Sequence, residues 1–159
     1  MIQVTVICVG NLKEAYWREA VAEYEKRLSA FCKLTLVQLK EAKLSDDPSE
    51  GEIGAALADE GKRILTAIPP RAYPIALCVE GKQFSSEKLA KHLDGVLSER
   101  GTLCLIIGSS HGLDDSVKAA CRLRLSVSEL TFPHQMMRVL LLEVLYRSFS
   151  ILKGSKYHK

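Results

Sequence analysis

Strand-like and helix-like segments alternate along almost the whole of this 159-residue chain. Short apolar runs that read as strands cover residues 2–9, 34–39, 75–79, 103–107 and 124–127. Segments with helical periodicity or helix boundary signals cover residues 14–28, 53–68, 86–100, 114–123 and 133–152. This alternation predicts an α/β fold in which helices flank a mainly parallel sheet. The length predicts a single domain, residues 1–159, with a core of its own.

Glycine-bearing loops follow two of the predicted strands. In open parallel sheets, ligands bind outside the carboxyl ends of the strands. Gly81, the loop at residues 108–112 and the turn after Val127 are therefore candidate ligand contacts. The loop reads Gly-Ser-Ser-His-Gly, which matches neither the Walker A motif nor the dinucleotide-binding fingerprint. On local pattern alone, a tight strand-to-helix turn explains this loop as well as a ligand contact does.

The last predicted helix is apolar in nearly every direction around its axis. A surface helix of a monomer shows one apolar stripe, so this helix must be buried on more than one side. Either it runs through the core, or one face packs on its own sheet and another on a second subunit. We favour the second arrangement, a twofold homodimer.

The positive charge of the chain is concentrated at its C-terminal end. The net charge is +3, and residues 131–159 hold five basic residues and one acidic residue. The other 130 residues hold 17 basic and 18 acidic residues. Two of the four histidines, His134 and His158, lie in the same basic segment. This distribution indicates a polyanionic partner that docks near the C-terminus.

The five cysteines predict buried, reduced thiols in a cytoplasmic protein. Their number is odd, their gaps are wide and no Cys-x-x-Cys motif occurs, so neither a disulfide framework nor a metal site is expected. Residues 1–9 alternate like a strand and lack the basic start of a signal peptide. Arg138, Glu143 and Arg147 interrupt the last helix, so we expect no membrane span.

Several polar residues of the C-terminal segment could carry chemistry or could be structural. His134 is either a helix-start histidine or a catalytic group, with Arg138 one turn further on. Glu143 and Arg147 form an i, i+4 pair that is either a structural clasp or an arginine held ready for phosphate. The closing Tyr-His-Lys, residues 157–159, is either a frayed tail or a nucleobase grip that combines stacking, hydrogen bonding and charge.

Motifs spread over the whole chain resemble one family. They are Val9-Gly10 with Lys13 and Tyr16-Trp17, the run from Glu23 to Leu28, Leu125-Ser126, the run Thr-Phe-Pro-His-Gln-Met-Met-Arg at 131–138, and the closing Tyr157-His158-Lys159. The chain resembles the RlmH family of ribosomal large subunit methyltransferases. Members of that family methylate N3 of the pseudouridine at position 1915 of 23S rRNA.

The resemblance implies a SPOUT fold with a C-terminal trefoil knot, an exception to the rule that chains are unknotted. The cofactor-binding knot would fall in residues 75–159, the cofactor would be S-adenosylmethionine, and the protein would be a homodimer. Cofactor contacts carried over from the family fall on Leu77, Gly108, Val127, Ser128, Glu129, Leu130, Thr131 and Phe132. Ser109 stands where the family usually has a second glycine, and we expect the serine to be tolerated.

The resemblance also implies roles for the C-terminal residues. His158, Tyr157 and Arg138 are the candidate catalytic residues, with His158 as the base or as an orienting group for N3. The candidate RNA-binding residues are Arg147, Lys156, Tyr157, His158 and Lys159. The implied substrate is 23S rRNA within the assembled 70S ribosome, and the tail of one subunit would complete the site over the other subunit's cofactor. No metal is needed for this chemistry.

Three other interpretations remain open. A methyltransferase of the same fold could act on tRNA or on another rRNA site. A ribosome-binding factor without enzymatic activity would explain the basic C-terminus but not the strand-end glycine loops. A purely structural dimer would explain the last helix but not the clustered positive charge.

Overall fold

A computed structural model of the protein describes residues 1–158. The five strands are β1 (Gln3–Val9), β2 (Lys33–Leu39), β3 (Tyr73–Lys82), β4 (Thr102–Ile107) and β5 (Leu123–Leu125). The five helices are α1 (Ala15–Leu28), α2 (Glu50–Ala67), α3 (Ser86–Arg100), α4 (Asp115–Ala120) and α5 (His134–Leu152). Strands and helices alternate from β1 to α5, as the sequence pattern predicted.

All the strand pairs of the sheet are parallel, in the order β2-β1-β4-β3-β5. Central β4 pairs with β1 on one side and with β3 on the other, and all its residues after Thr102 are buried. A strand that is covered on both faces needs apolar side chains on both, which explains the unbroken run Leu-Cys-Leu-Ile-Ile. The predicted α/β class with a parallel sheet is confirmed.

Helices cover both faces of the sheet and create two cores. One core packs alternate side chains of the strands, such as Val6, Leu77 and Leu105, against α1, α3 and α5. The other packs Ile7, Ala76 and Ile106 against α2 and α4, through Ile64 and Val117. The carboxyl ends of all five strands therefore open at one edge of a three-layer structure.

Helix boundaries follow the capping residues. Ser49, Ser85 and Asp114 each accept a hydrogen bond from a backbone N–H of the first helical turn that follows. Ser49 starts α2 at Glu50, three residues before the apolar periodicity alone predicts. Helix α4 is shorter than predicted because the Arg122 N–H donates to Pro74 O at 2.9 Å, which draws the chain beside β3. Strand β5 accordingly covers residues 123–125 rather than 124–127.

Helix α5 lies between α1 and α3 on one face of the sheet. Leu141, Leu142 and Leu145 are fully buried within this single chain, and no residue from His134 to Ser150 is exposed. The prediction that α5 is buried on more than one side is confirmed. Met136, Leu140 and other apolar side chains of α5 stay only half-buried, which leaves them available to a second subunit.

The cysteines lie largely where the apolar pattern predicted. Cys8, Cys32 and Cys104 are buried, whereas Cys78 and Cys121 are half-buried, and all five are free thiols. Within residues 1–158, no group of three or more His, Cys, Asp or Glu side chains is placed to hold a metal ion. No helix in this part of the chain has both the length and the apolarity to cross a membrane.

Candidate functional site

A cavity of about 710 Å³ opens at the carboxyl ends of β3, β4 and β5. Its wall is formed by residues of three strand-end segments, 77–80, 107–113 and 125–134 except Ser126 and Glu129, together with Lys118 of α4 and Met137 of α5. The volume lies within the range of roughly 300–1,000 Å³ that is usual for ligand and cofactor sites. The three segments follow the strands whose loops the sequence pattern singled out.

The first wall is the end of β3, which departs from regular pairing. Leu77 and Lys82 both pair with Leu125, so the residues between them bulge out of the ladder and face the cavity. The bulge requires glycine at position 81, because a Cβ there would lie only 2.7 Å from the backbone of Arg124 and Leu125. The bulge presents Val79, which is 46% exposed, and Glu80 at the cavity mouth.

The second wall is the tight loop at residues 108–112. The Gly112 N–H donates to Ser109 O at 2.9 Å, and a Cβ on Gly108 would lie 2.2 Å from Gly112 O. Gly112 has φ +90, a conformation that glycine adopts freely. Ser109 does not have a positive φ, because Arg71 is the only non-glycine residue with a positive φ among residues 1–158. Its backbone therefore does not require glycine. The serine in place of the family's second glycine is therefore compatible with the loop.

The third wall, within residues 125–134, consists mainly of the irregular segment 126–133, which is held by serine hydroxyls. Ser126 Oγ donates to Ser128 O at 3.0 Å, and Ser128 Oγ accepts from the Leu130 N–H at 3.0 Å. Ser126 N also donates to Lys82 O at 3.0 Å, which ties this segment to the end of β3. Leu130 lines the cavity and is 70% exposed, so it offers apolar surface there.

A single ion pair marks the mouth of the cavity. Lys118 Nζ lies 2.6 Å from Glu80 Oε1, and both residues line the cavity. The Lys118 ammonium is the main reason that the pKa of Glu80 is below its usual value. The remaining wall is mainly apolar, so a ligand with a flat apolar part and a small charged part fits this arrangement.

The C-terminal tail packs on its own chain, outside this cavity. Glu143 Oε2 accepts from Tyr157 Oη at 2.9 Å and from Tyr24 Oη at 2.7 Å, while Glu143 Oε1 pairs with Arg147 at 2.7 Å. The Arg147 guanidinium also lies over the Tyr157 ring, 4.7 Å from its centroid. We call Glu143, Arg147, Tyr24, Tyr157 and His158 the tail cluster.

His158 is held through both ring nitrogens. Nδ1 lies 3.4 Å from Arg147 Nη1 and Nε2 lies 2.8 Å from Glu87 Oε1. Since a guanidinium can only donate, Nδ1 accepts, and Nε2 carries the hydrogen that is donated to Glu87. This hydrogen bond is the main cause that lowers the pKa of Glu87.

Arg138 occupies a different environment. It is only 4% exposed, and its guanidinium donates to Gly10 O and to Gln38 Oε1, each at 3.0 Å. It thereby ties the first turns of α5 to the ends of β1 and β2. His134 lies nearby, because a Cβ on Gly10 would be 3.3 Å from His134 Nε2, and His134 also lines the cavity. Arg138 is therefore a buried tether, and of the two residues only His134 lines the cavity.

A smaller cavity of about 200 Å³ lies beside the tail cluster. Its lining includes Glu143 and Arg147 of the tail cluster, Ser85 and Phe84 before α3, and Val127, which it shares with the larger cavity. The two cavities therefore share two lining residues of the third wall, Leu125 and Val127.

The structure brings together most of the residues predicted to contact a cofactor. Of the eight, it places seven in the wall of the larger cavity: Leu77, Gly108, Val127, Ser128, Leu130, Thr131 and Phe132. Glu129 belongs to the same segment but is exposed and does not line the cavity. Arg147, Tyr157 and His158 lie together in the tail cluster, away from the larger cavity of their own chain. Lys156 is exposed, and Lys159 lies outside the described residues.

Two oppositely charged lining residues, Glu80 and Lys118, were among those that the sequence did not predict. Glu80 sits in the bulge of β3, and Lys118 sits on a helix 38 positions later, so only the fold makes them partners. The one signal that points to Glu80 is its place between a strand and Gly81, at a carboxyl end.

The chain was also compared with models of known protein families. A family model described as "Predicted SPOUT methyltransferase" matches residues 2–158. The match covers all the strands, the three walls of the cavity and the tail cluster. SPOUT methyltransferases generally use S-adenosylmethionine, which agrees with a cofactor-sized cavity at the strand ends. The protein belongs to the SPOUT methyltransferase family.

Proposed function

We propose that this protein transfers a methyl group from S-adenosylmethionine to N3 of pseudouridine 1915 in 23S rRNA, as in the RlmH family. The observation that carries the proposal is the single cavity in which seven predicted cofactor contacts meet at three strand ends. These residues are separated by up to 55 positions in sequence, from Leu77 to Phe132. The match of the closing Tyr157-His158-Lys159 to the RlmH pattern supports this target over others.

The residues of the cavity suit this cofactor. Apolar side chains such as Leu77, Val127 and Leu130 offer surface to an adenine ring, and the compact Gly108 turn lets backbone groups approach closely. The charged Glu80 and Lys118 are the groups available to an aminocarboxylate. When bound, the cofactor supplies an electrophilic methyl group on a sulfonium ion.

The chain's own residues have to orient the acceptor base and remove the proton from N3. Correct orientation accounts for roughly 7–11 kcal/mol of such barriers. In the proposal His158 accepts the proton or holds N3 by a hydrogen bond, and Tyr157 offers a ring for stacking. For His158 to accept a proton at Nδ1, that atom must exchange its contact with Arg147.

The basic C-terminus supplies the contacts to RNA in this proposal. Lys153 and Lys156 are exposed, and Arg147 is half-buried with its guanidinium beside Tyr157 and His158. Arg138 is less suited to phosphate, because its guanidinium is buried and bonded to backbone. We assign it the role of fixing the N-terminal turn of α5, and with it His134, at the cavity.

The proposal includes a homodimer in which the tail of one subunit reaches the cavity of the other. The half-buried apolar side chains of α5 support a second-subunit contact. Tyr157 and His158 lie outside the larger cavity of their own chain, which also supports an action in trans. The single domain of residues 1–159, the trefoil knot within residues 75–159 and a cytoplasmic location belong to the same proposal.

The test is transfer of labelled methyl from S-adenosylmethionine to ribosomes that lack this modification. Assembled 70S particles, free 50S subunits and naked rRNA are compared, and the modified nucleotide is mapped. A variant truncated after Lys156 is the matched control, which we expect to bind the cofactor normally and to transfer no methyl group.

Label at position 1915 of 23S rRNA, obtained from 70S particles alone, is the expected result. Label on tRNA, or elsewhere on rRNA, would support methyltransferase activity but contradict the proposed target nucleotide. A protein that binds ribosomes but no S-adenosylmethionine would be the ribosome-binding factor considered above.

A further inference from the structure

Glu60 is a buried carboxylate with an unusual pair of partners. It lies on α2 and is only 4% exposed, yet among residues 1–158 no Lys, Arg or His forms an ion pair with it. Its two oxygens accept from different loops. Oε1 accepts from Ser109 Oγ at 2.9 Å, and Oε2 accepts from the Ala42 N–H at 2.9 Å. A buried charge is retained only where hydrogen bonds replace its water, so both bonds matter to this side chain.

Ser109, the first of the two partners of Glu60, lies in the second wall of the larger cavity. Ser109 is 7% exposed, and its backbone oxygen accepts from Gly112, which closes the loop. Helix α2 approaches this region closely, because a Cβ on Gly61 would lie 3.1 Å from Asp114 Cβ. The serine hydroxyl therefore fastens the loop to a helix behind it. A glycine at this position could not make the bond.

Ala42, the second partner, lies in the segment between β2 and α2, residues 40–49. Arg63, one turn from Glu60, donates to Lys40 O and so holds the start of this segment. Glu41 Oε1 lies 3.4 Å from Ser110 Oγ, a second and longer contact between the same two loops. Glu60 is thus the buried link between the 40–49 segment and the 108–112 loop.

We propose that Glu60 and Ser109 are positioning residues that hold the 108–112 loop in its cofactor-binding shape and couple it to the 40–49 segment. This assignment rests on the proposed use of the cavity for S-adenosylmethionine. The Glu60–Ser109 bond acts on the cofactor through the loop backbone, without touching the reacting atoms. It accounts for the serine that stands where the family usually has glycine.

The test measures binding of S-adenosylhomocysteine by calorimetry with the full-length protein, well below the unfolding temperature of each variant. Ser109→Ala and Glu60→Ala should each raise Kd by about tenfold, and the double variant no further than either single one. Glu60→Gln should bind almost normally, because its amide oxygen can accept from Ala42 and its NH₂ can donate to the Ser109 hydroxyl. Ser109→Gly provides a second variant if Ser109→Ala does not fold.

Thr66→Ala is the matched control, since it breaks an exposed bond from Thr66 Oγ1 to Lys62 O on the same helix α2, away from both loops. A second readout separates positioning from general stability. Cofactor binding should slow hydrogen exchange of the Ala42 amide in the wild type and not in Ser109→Ala. In methyl transfer, KM for the cofactor should rise while kcat at saturating cofactor stays close to that of the wild type.

Unchanged affinity in Ser109→Ala and Glu60→Ala, with a wild type that binds, would overturn this assignment and leave the proposed function standing. Additive losses in the double variant would also overturn it. A wild-type protein that does not bind S-adenosylhomocysteine would overturn the proposed function, and this assignment with it.

Discussion

Glu143 shows how much one side chain depends on residues that are distant in sequence. Its carboxylate accepts from Tyr24 of α1 and from Tyr157 of the tail, and pairs with Arg147 on its own helix. Burial and the bond to Glu143 raise the pKa of both tyrosines. The sequence predicts only the i, i+4 pair with Arg147, since that pair needs nothing but helical spacing.

The first prediction concerns Glu143→Gln. Loss of the carboxylate should lower the pKa of Tyr24 and Tyr157, which absorbance titration of the phenols detects. The pKa of each tyrosine is higher in the folded state than in the unfolded chain, where it is about 10. The resulting stabilisation is fully present below the unfolded-state pKa and is lost as pH rises through the folded-state pKa. The variant should lose about 1–2 kcal/mol of unfolding free energy at neutral pH.

Asp59→Asn is the control for this variant. It breaks an exposed i, i+4 pair with Arg63, and a pair of this kind is worth at most about 0.5 kcal/mol. Identical phenol titrations of the wild type and Glu143→Gln would contradict the hydrogen bonds from Tyr24 and Tyr157 to Glu143.

The second prediction concerns His158→Ala in single-turnover methylation of ribosomes. A positioned base contributes roughly 10²–10⁴-fold in rate, so we expect a loss in that range. Affinity for S-adenosylhomocysteine should stay unchanged, because His158 does not line the cavity of its own chain and in the proposal contacts the acceptor base rather than the cofactor. Full activity of the variant would exclude His158 from the chemistry and leave it a structural role beside Glu87.

Among the elements, β3 and the segment after β5 depart most from the simple pattern. Strand β3 continues to Lys82 rather than ending at residue 79, because its last residues pair with Leu125 after a bulge. The bulge turns Cys78, Val79 and Glu80 toward the cavity. Sequence periodicity describes regular strands, so it misses a register shift that depends on a neighbouring strand far along the chain.

The third prediction uses Cys78 as a probe of this wall. Cys78 is half-buried and lines the cavity, and burial is the main cause that raises its pKa. Saturating S-adenosylhomocysteine should slow its alkylation at least several-fold, as measured by mass spectrometry of its peptide. The thiolate is the reacting form, so labelling should be done at mildly alkaline pH.

Cys121 serves as the internal control for that experiment. It is also half-buried, burial raises its pKa to about 11, and it does not line the cavity. Its alkylation rate should not respond to the ligand. Equal protection of Cys121 and Cys78 would indicate a global stiffening of the protein rather than occupancy of the cavity.

For the whole molecule, the decisive question is where the tail of each subunit acts. Within one chain the tail cluster lies on α1, α3 and α5, whereas the larger cavity opens at the strand ends. The proposed dimer would bring the tail of one subunit to the cavity of the other. Both sites are then incomplete in a separated subunit.

The fourth prediction is complementation between two inactive variants. One lacks residues 157–159 and keeps its cavity, and the other carries Gly108→Ala, whose Cβ would collide with Gly112 O. If the tail acts in trans, mixed dimers contain one complete site and should recover a substantial part of wild-type activity. Each variant alone should be inactive, and no recovery in verified mixed dimers would show that the tail acts on its own chain.

The order and type of the elements follow from the amino-acid sequence alone, because hydrophobic periodicity and capping residues act over a few positions. The same holds for the strand-end glycines Gly81 and Gly108, since tight turns need them. The contacts of Glu60 with Ser109, of Glu143 with Tyr24 and of Glu80 with Lys118 arise only in the folded chain. The residues of these pairs are 38 to 119 positions apart in sequence. They come close only when the sheet has formed, so no local sequence pattern predicts their contacts.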